Sequence, residues 1–359
     1  MPNFDRHLWM VLLAGAVLGL FGVMLADWGN PQNSGICVSC FVENTAGAVG
    51  LHANARMQYI RPELIGFVLG SLVSAFSLGE FKSRGGSAPM PRFLAGLFLI
   101  VGCAVFIGCP IKLFLRLTAG DLTTLAGLAG LIGGVVVGLR GLAGGVDFGR
   151  QQKQVGTTGI WMPAMFVLLL VLVLVRPGFV YFSDRGSAAL HAPLLVSLGA
   201  GLVIGFLAQR SRFCVTASIR DLFLMGRRAP LLWGLLAFLL VSVSGNLATG
   251  SFRPGFYGQP GAHLDFVWSF LGMALVGWIS VLLGGCPFRQ LIKAGEGDSD
   301  AGMVVLGMLV GGGLVQSWEI AATAAGVSLF GKVAVLVGIL FVLLNTLLFR
   351  ERPAAAADR

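Results

Sequence analysis

Four of the six cysteines of this chain occur as two pairs that the sequence repeats. Adding 177 to 109 gives 286, and this shift converts Gly108-Cys109-Pro110 into Gly285-Cys286-Pro287. The same shift carries Cys37 onto Cys214. Thiols are polarizable groups that donate and accept weak hydrogen bonds. A set of them suits a soft species that contains sulfur or selenium, and it suits a hard cation or a sugar poorly.

The other two cysteines depart from the repeat. The shift places Ala217 at the position of Cys40 and Ser280 at that of Cys103. Cys40 remains a candidate pathway residue because it forms a Cys-x-x-Cys pair with Cys37. Such pairs occur in redox proteins and, with two further ligands, in metal sites. No second ligand pair accompanies this one, so the sequence predicts no metal and no other cofactor, and Cys103 is interpreted as a small apolar filler.

Basic residues lie close to the repeated cysteines and repeat with them. Lys112 and Arg116 follow the first Gly-Cys-Pro element as Arg289 and Lys293 follow the second. Basic groups at two entrances would concentrate an anion, although they also anchor the ends of membrane spans. The cysteines and charges together predict a small soft anion as substrate. The residues predicted to attract it are Lys112, Arg116, Arg210, Arg212, Arg220, Arg289 and Lys293.

Composition defines the class of protein that must position these residues. Of the 359 residues, 56% are hydrophobic and only 11% are charged, and the mean hydropathy is +0.86. Soluble domains average about 25% charged residues. Ten apolar runs, several of roughly 17–20 residues, are candidates to cross a bilayer as helices. We predict an all-α polytopic membrane protein with about 9–10 transmembrane helices, and no basic run with interleaved aromatics suggests a nucleic-acid partner.

The distribution of Lys and Arg predicts the orientation. With the N-terminus inside, the inner loops and termini hold 17 basic residues and the outer loops hold 8. Because basic residues are retained on the cytoplasmic side, both termini are predicted to be cytoplasmic, in a bacterial inner membrane. The ten candidate spans are 8–26, 62–80, 93–108, 122–139, 159–176, 190–208, 230–248, 265–284, 301–318 and 331–349.

The number of spans predicts how the two repeats are oriented in the membrane. Each unit has four spans, and the single span 159–176 between the units turns the second one over, so the repeats are predicted to be inverted, as in many transporters. Stretches 36–50 and 213–225 are expected to dip into the membrane as short helices without crossing it. The predicted units are 1–140, the first repeat with Cys37 and Cys109; 141–186, a connecting span; 187–318, the second repeat with Cys214 and Cys286; and 319–359, a last span and tail.

At these residues the chain resembles the YeeE/YedE family of membrane proteins, which is associated with uptake of sulfur compounds such as thiosulfate. The two Gly-Cys-Pro elements carry the resemblance, together with stretch 209–214 and Arg220-Asp221 after it. Stretch 35–52, followed by 56–63, is similar to the YedE-type branch associated with selenium transport. The resemblance implies an hourglass of inverted repeats with cysteines at the constriction, which pass the sulfur of the substrate along by S–H hydrogen bonds. The matching cysteines are Cys109, Cys214 and Cys286, with Cys37 as the outer-loop cysteine; Cys40 departs from the family pattern and leaves open which of these two is used.

The predicted function is that of an inner-membrane transporter or channel, and not an enzyme. It would import a small sulfur- or selenium-containing anion, a selenium compound or thiosulfate, along a central path lined by cysteines. Its other expected partners are the lipid bilayer and a cytoplasmic sulfur-carrier or selenium-handling protein on the basic inner face. Two alternatives remain open: a membrane thiol redox protein that uses Cys37 and Cys40, and a non-transporting membrane subunit for sulfur or selenium enzymes.

Overall fold

The chain forms a helical bundle in a computed structural model that describes residues 2–146, 148 and 151–349. Residue Arg150 and the tail 350–359, with Arg350, Arg352 and Arg359 of the charge count, lie outside these residues. The described helices are α1 (Pro2–Asp27), α2 (Val38–Ala48), α3 (Pro62–Ser77), α4 (Pro89–Phe106), α5 (Pro110–Thr118), α6 (Thr124–Ala143), α7 (Trp161–Val175), α8 (Leu194–Ser211), α9 (Val215–Met225), α10 (Pro230–Ala248), α11 (Phe266–Leu282), α12 (Pro287–Gly295), α13 (Ser299–Ser317) and α14 (Leu329–Leu348).

Two short strands, which the sequence did not indicate, join the loops at one end of the bundle. They are β1 (Arg84–Gly85) and β2 (Gln152–Lys153), and they pair antiparallel with Arg84 opposite Lys153. Each strand has only two residues, so the described chain remains helical in character. The pair ties the loop before α4 to the loop before α7.

The predicted membrane spans are confirmed. Within the described residues, nine helical stretches are long and apolar enough to cross a membrane, and α3 is a shorter apolar helix of 16 residues. Helix α10 has the predicted bounds, and the other spans agree with their helices within a few residues. The chain is therefore an all-α polytopic membrane protein, as its composition predicted.

The short helices recur at the same spacing as the cysteines. Adding 177 to the bounds of α2 gives the bounds of α9, and adding it to those of α5 gives those of α12. The contacts between helices repeat as well. Helices α11 and α13 are the counterparts of α4 and α6, and α4 packs on α13 while α11 packs on α6. In the same way, α3 packs on α8, and their counterparts α10 and α1 pack on each other. The inverted orientation in the membrane and the unit boundaries at 140, 186 and 318 stay predictions.

The loops between spans gather into two groups. In one group, Arg61 donates hydrogen bonds to the carbonyl oxygens of Ser187 and Leu190, and the Leu122 N–H binds the Gly255 carbonyl. In the other, the Lys82 N–H binds the Glu296 carbonyl. We call these the Arg61 end and the Glu296 end of the bundle. By the charge count, the Arg61 end is predicted to face outward and the Glu296 end to face the cytoplasm.

Repeat-related glycines allow the close helix packing. A Cβ at Gly130 of α6 would overlap the carbonyl oxygen of Phe270 in α11, and a Cβ at Gly307 of α13 would overlap that of Phe93 in α4. Adding 177 to 130 gives 307 and adding it to 93 gives 270, so the repeat relates the two contacts to each other. These glycines therefore serve helix packing, as small residues do between membrane helices.

Replacing Gly130 or Gly307 with Leu is expected to destabilise the protein. The atom in the way is backbone and cannot rotate aside, and overpacking of this kind costs about 1–3 kcal/mol or more. The measurement is the unfolding temperature in detergent. Gly199→Leu in α8 is the control, because a Cβ there meets no atom within 4 Å, and equal losses in all three variants would contradict the packing argument.

Candidate functional site

Each of the four repeated cysteines lies at the N-terminus of a short helix. Cys37 is the N-cap residue of α2, Cys109 of α5, Cys214 of α9 and Cys286 of α12, and all four have extended backbone angles. In α5 and α12 a proline takes the first helical position, where its missing N–H costs no helical hydrogen bond. The sequence therefore sets each thiol at the start of a helix.

These four helices point their N-termini into the bundle. The carbonyl oxygens of Ala48 and Ala119, at the ends of α2 and α5, bind the loop N–H groups of Tyr181 and Arg253 at the Arg61 end. The end of α12 meets the loop of Lys82 at the opposite end. The free N–H groups and the helix dipole make a helix N-terminus favourable for an anion, and they stabilise a thiolate there.

Thiols of the first repeat form a compact group. The Cys37 Sγ lies 2.6 Å from the Cys40 Sγ and 3.5 Å from the Ser39 hydroxyl. Cys109 and Cys103 lie close enough to Cys37 to interact with it electrostatically. All of them are buried except Cys40, which is partly exposed. With the nearby lysine, the Cys109 cluster consists of Cys37, Cys40, Cys109 and Lys112, and Cys103 packs beside it.

Lys112 supplies an unusual positive charge to this cluster. Its side chain is buried, and its Nζ lies 3.9 Å from the Cys40 Sγ. None of the ion pairs among the described residues includes Lys112. A buried ammonium without a counter-ion is costly, so this position is suited to receive an anion.

The second repeat provides a simpler pair of thiols. The Cys214 Sγ donates to the Cys286 Sγ at 3.4 Å, and both side chains are buried. We call these two residues with Arg289 the Cys286 cluster. A cavity of about 380 Å³ reaches Cys214, and Arg212, Arg220 and Arg289 line it. Among the described residues, hydrogen bonds join Cys37 to Cys40 and Cys214 to Cys286, and none joins the two clusters, although α2 packs on α12 and α5 on α9.

Two hydroxyl groups near the second pair lack a partner. The side-chain oxygens of Thr216 and Ser280 are buried and make no hydrogen bond within the described chain. They occupy the positions that Ser39 and Cys103 have in the first repeat. Since buried hydroxyls are usually satisfied, both are available to a ligand. Sequence reasoning missed them, although the repeat alone would have pointed to these two positions.

Carboxylates partner the basic residues at the Glu296 end. Glu296 binds Arg212 at 2.6 Å and Arg289 at 2.9 Å. Glu80 binds Arg210 at 3.2 Å and Arg212 at 2.9 Å. Arg220 pairs with its chain neighbour Asp221 at 2.7 Å. The cavity thus presents guanidinium groups that are held in place and partly neutralised.

Two more of the predicted anion-attracting residues are engaged in repeat-related ion pairs. Arg116 binds Asp121 at 2.7 Å and also donates to the Phe106 carbonyl. At the equivalent positions, Lys293 lies 3.6 Å from Asp298. Neither Arg116 nor Lys293 lies in the cavity or is bonded to a cysteine in the described structure. Their geometry favours a structural role, and the anion-attracting role remains a prediction for both.

Buried polar networks surround the Cys109 cluster, and the sequence analysis did not predict them. Glu43 of α2 accepts a hydrogen bond of 2.5 Å from Gln316, which accepts one of 2.8 Å from Asn54. Arg61 is buried, donates to Asn44 at 2.8 Å and lies over the Phe41 ring. These contacts fix α2 and therefore the direction in which its thiols point.

Two histidines act as structural bridges near the ends of spans. The Nδ1 atoms of His52 and His263 accept hydrogen bonds from the Asn54 and Asp265 N–H groups, so the proton lies on Nε2. That atom donates to the Glu43 carbonyl in His52 and to the Val105 carbonyl in His263. Burial lowers the pKa of both imidazoles, which keeps them neutral and suits this bonding.

The fold and the site define a class: a polytopic helical membrane protein with cysteines at the inward N-termini of four short helices. Comparison with known proteins agrees, because a family model described as "Sulphur transport" matches residues 210–357. The predicted resemblance to the YeeE/YedE family is confirmed.

Two curated relatives show the extent of this similarity. The chain is 30% identical over 146 residues to "Probable transporter YedE" of Salmonella typhimurium, a match that covers 39% of this chain and 34% of the relative. It is 29% identical over 104 residues to "Thiosulfate transporter TsuA" of Escherichia coli, which covers 29% of each. The matches thus span about a third of the length of each relative.

Proposed function

We propose that this protein is an inner-membrane transporter or channel that imports a small soft anion, a selenium compound or thiosulfate, past its repeated cysteines. The observation that carries the proposal is the placement of four repeat-related thiols at inward helix N-termini, with a buried ammonium at one cluster and arginines at the other. The similarity to a thiosulfate transporter and to a YedE protein supports the same class of substrate.

The features of each cluster suggest how a substrate would be handled. Lys112 and the N-termini of α2 and α5 stabilise negative charge, and the thiols donate weak hydrogen bonds to a soft sulfur or selenium atom. At the Cys286 cluster, the hydroxyls of Thr216 and Ser280 can donate to oxygen atoms of an oxyanion. The arginine-lined cavity then receives the anion at the Glu296 end.

The path follows from the predicted orientation. The Arg61 end faces outward, so the anion enters toward the Cys109 cluster, passes to the Cys286 cluster and leaves through the arginine-lined cavity into the cytoplasm. There, a cytoplasmic sulfur-carrier or selenium-handling protein would meet the basic residues of the Glu296 end. The protein rearranges no covalent bond of the substrate in this scheme and is not an enzyme.

Uptake into liposomes that contain only this protein tests the proposal. The assay compares labelled thiosulfate, selenite and selenide, with empty liposomes as the baseline. Uptake of a selenium species above that baseline would support the selenium substrate, and uptake of thiosulfate alone would retain the transport path and remove selenium. A folded protein that moves none of them would contradict the proposed function and favour the subunit alternative.

A further inference from the structure

We propose that Cys37 and Cys40 form a reversible disulfide, and that this disulfide interrupts the thiol path at the Cys109 cluster. The formation of the bond rests on the geometry of the cluster alone. Its effect on uptake rests on the proposed transport function. The site is thus a modification site for a disulfide oxidant on the side of the membrane that the Arg61 end faces.

The geometry of the two thiols favours bond formation. Cys37 is the N-cap of α2 and its sulfur accepts the Cys40 N–H at 3.4 Å, which holds both side chains on the first helical turn. Their sulfur atoms lie 2.6 Å apart, compared with about 2.05 Å in a disulfide. The pair therefore needs only a small movement to bond.

The surroundings of the pair favour the exchange reaction as well. A thiolate is the attacking species in thiol–disulfide exchange, and a helix N-terminus or a nearby ammonium stabilises it. Cys40 has both, because it lies in the first turn of α2 and 3.9 Å from the Lys112 Nζ. It is also the cysteine of this cluster with partial exposure, so a small oxidant has access to it.

The two repeats differ at this point. The position of Cys40 is Ala217 in the second repeat, where Cys214 and Cys286 make the thiol contact without a third cysteine. Cys40 is therefore an addition to the repeated pattern, and it occurs in the unit predicted to open outward. Disulfides persist in the bacterial periplasm and are rare in the cytosol, so the additional thiol is on the side where oxidation occurs.

The reaction balances with a disulfide of low molecular mass as oxidant. The Cys40 thiolate attacks one sulfur of RSSR and releases one thiol, and the Cys37 thiolate then displaces the second. The sum is Cys37–SH + Cys40–SH + RSSR giving the Cys37–Cys40 disulfide and two RSH. The product has no S–H group at Cys37 or Cys40, so it removes two thiol donors, one of which binds the Cys40 sulfur in the described structure, that would otherwise face the substrate.

The experiment combines a thiol count with uptake. The full-length protein is treated with bis(2-hydroxyethyl) disulfide, and its free cysteines are counted by maleimide mass-tagging after denaturation. We expect the count to fall from six to four in the wild type, since six cysteines are present, and thiosulfate or selenium uptake to fall about tenfold or more, as for loss of a hydrogen bond to a charged group. Dithiothreitol should restore both.

Two variants serve as controls. Cys40→Ala should show the same uptake before and after oxidation, whatever its absolute rate, and should lose no tagged cysteine. Cys103→Ala should respond to the oxidant like the wild type, because Cys103 takes no part in the pair. A thiol count unchanged by the oxidant, or a bond mapped to other cysteines, would overturn the disulfide.

The readouts also separate this inference from the transport function. If the disulfide forms and the oxidised protein takes up the anion as fast as the reduced protein, the proposal that the disulfide controls the path is overturned. If neither form takes up any anion, the proposed function fails, control of the path fails with it, and the thiol count alone still decides whether the bond forms.

Discussion

Replacing Lys112 with Met is expected to abolish most uptake while the protein stays as stable as the wild type or becomes more stable. The Lys112 ammonium is buried, and no ion pair of the described residues neutralises it. Removing an uncompensated buried charge relieves a cost of several kcal/mol. A substrate anion would lose a charged hydrogen-bond donor, worth about 1.5–3 kcal/mol or roughly a 10- to 150-fold change in rate or affinity.

Opposite changes in stability and uptake are what distinguish this lysine from a structural one. The measurements are the unfolding temperature in detergent and the initial rate of uptake into liposomes. Lys112→Arg should keep part of the activity, since the equivalent position in the second repeat is Arg289. Lys332→Met is the control, because the ammonium of this α14 residue lies over the Trp268 ring of α11, and no hydrogen bond of the described residues joins it to a cysteine. Normal uptake by Lys112→Met would exclude Lys112 from the path.

Local sequence was sufficient to predict where the cysteines lie in the fold. A proline after Cys109 restricts the cysteine to extended backbone and permits a helix to begin at the proline. The same holds for Cys286, and both are N-cap residues in the structure. The sequence predicted the spans and the short helices in stretches 36–50 and 213–225, where α2 and α9 lie, but it did not assign α5 and α12 as helices of their own.

Sequence could not show which basic residues are neutralised. Lys112 and Arg116 are four residues apart in the same short helix, yet Arg116 has Asp121 as a partner and Lys112 has none among the described ion pairs. At the other cluster, Arg212 and Arg289 share Glu296, a residue far from Arg212 in the chain. Such pairing depends on the packing of segments that are distant in the chain, so the ion-pair partners can be identified only in the folded structure.

Replacing Cys286 with Ala is expected to reduce uptake by about 10- to 100-fold, again the scale of a lost hydrogen bond to a charged ligand. The reason is that Cys286 has no exposed surface and its sulfur accepts the Cys214 thiol at 3.4 Å at the N-terminus of α12. Among the described residues, Cys214 and Cys286 form the only thiol pair of the Cys286 cluster. The substitution removes one of its two sulfur atoms.

The variant Cys286→Ser tests whether the substrate is recognised through its soft sulfur or selenium atom or through hydrogen bonding alone. A hydroxyl donates hydrogen bonds but lacks the polarizability of sulfur, so Ser should be nearly as impaired as Ala if the substrate is held through its sulfur or selenium atom. Cys103→Ala is the matched control, because Cys103 is also a buried cysteine but not the N-cap of a helix. Wild-type uptake in Cys286→Ser would contradict recognition through soft atoms. Equal losses of uptake in Cys103→Ala and Cys286→Ala would attribute the effect to packing and not to the position of the thiol.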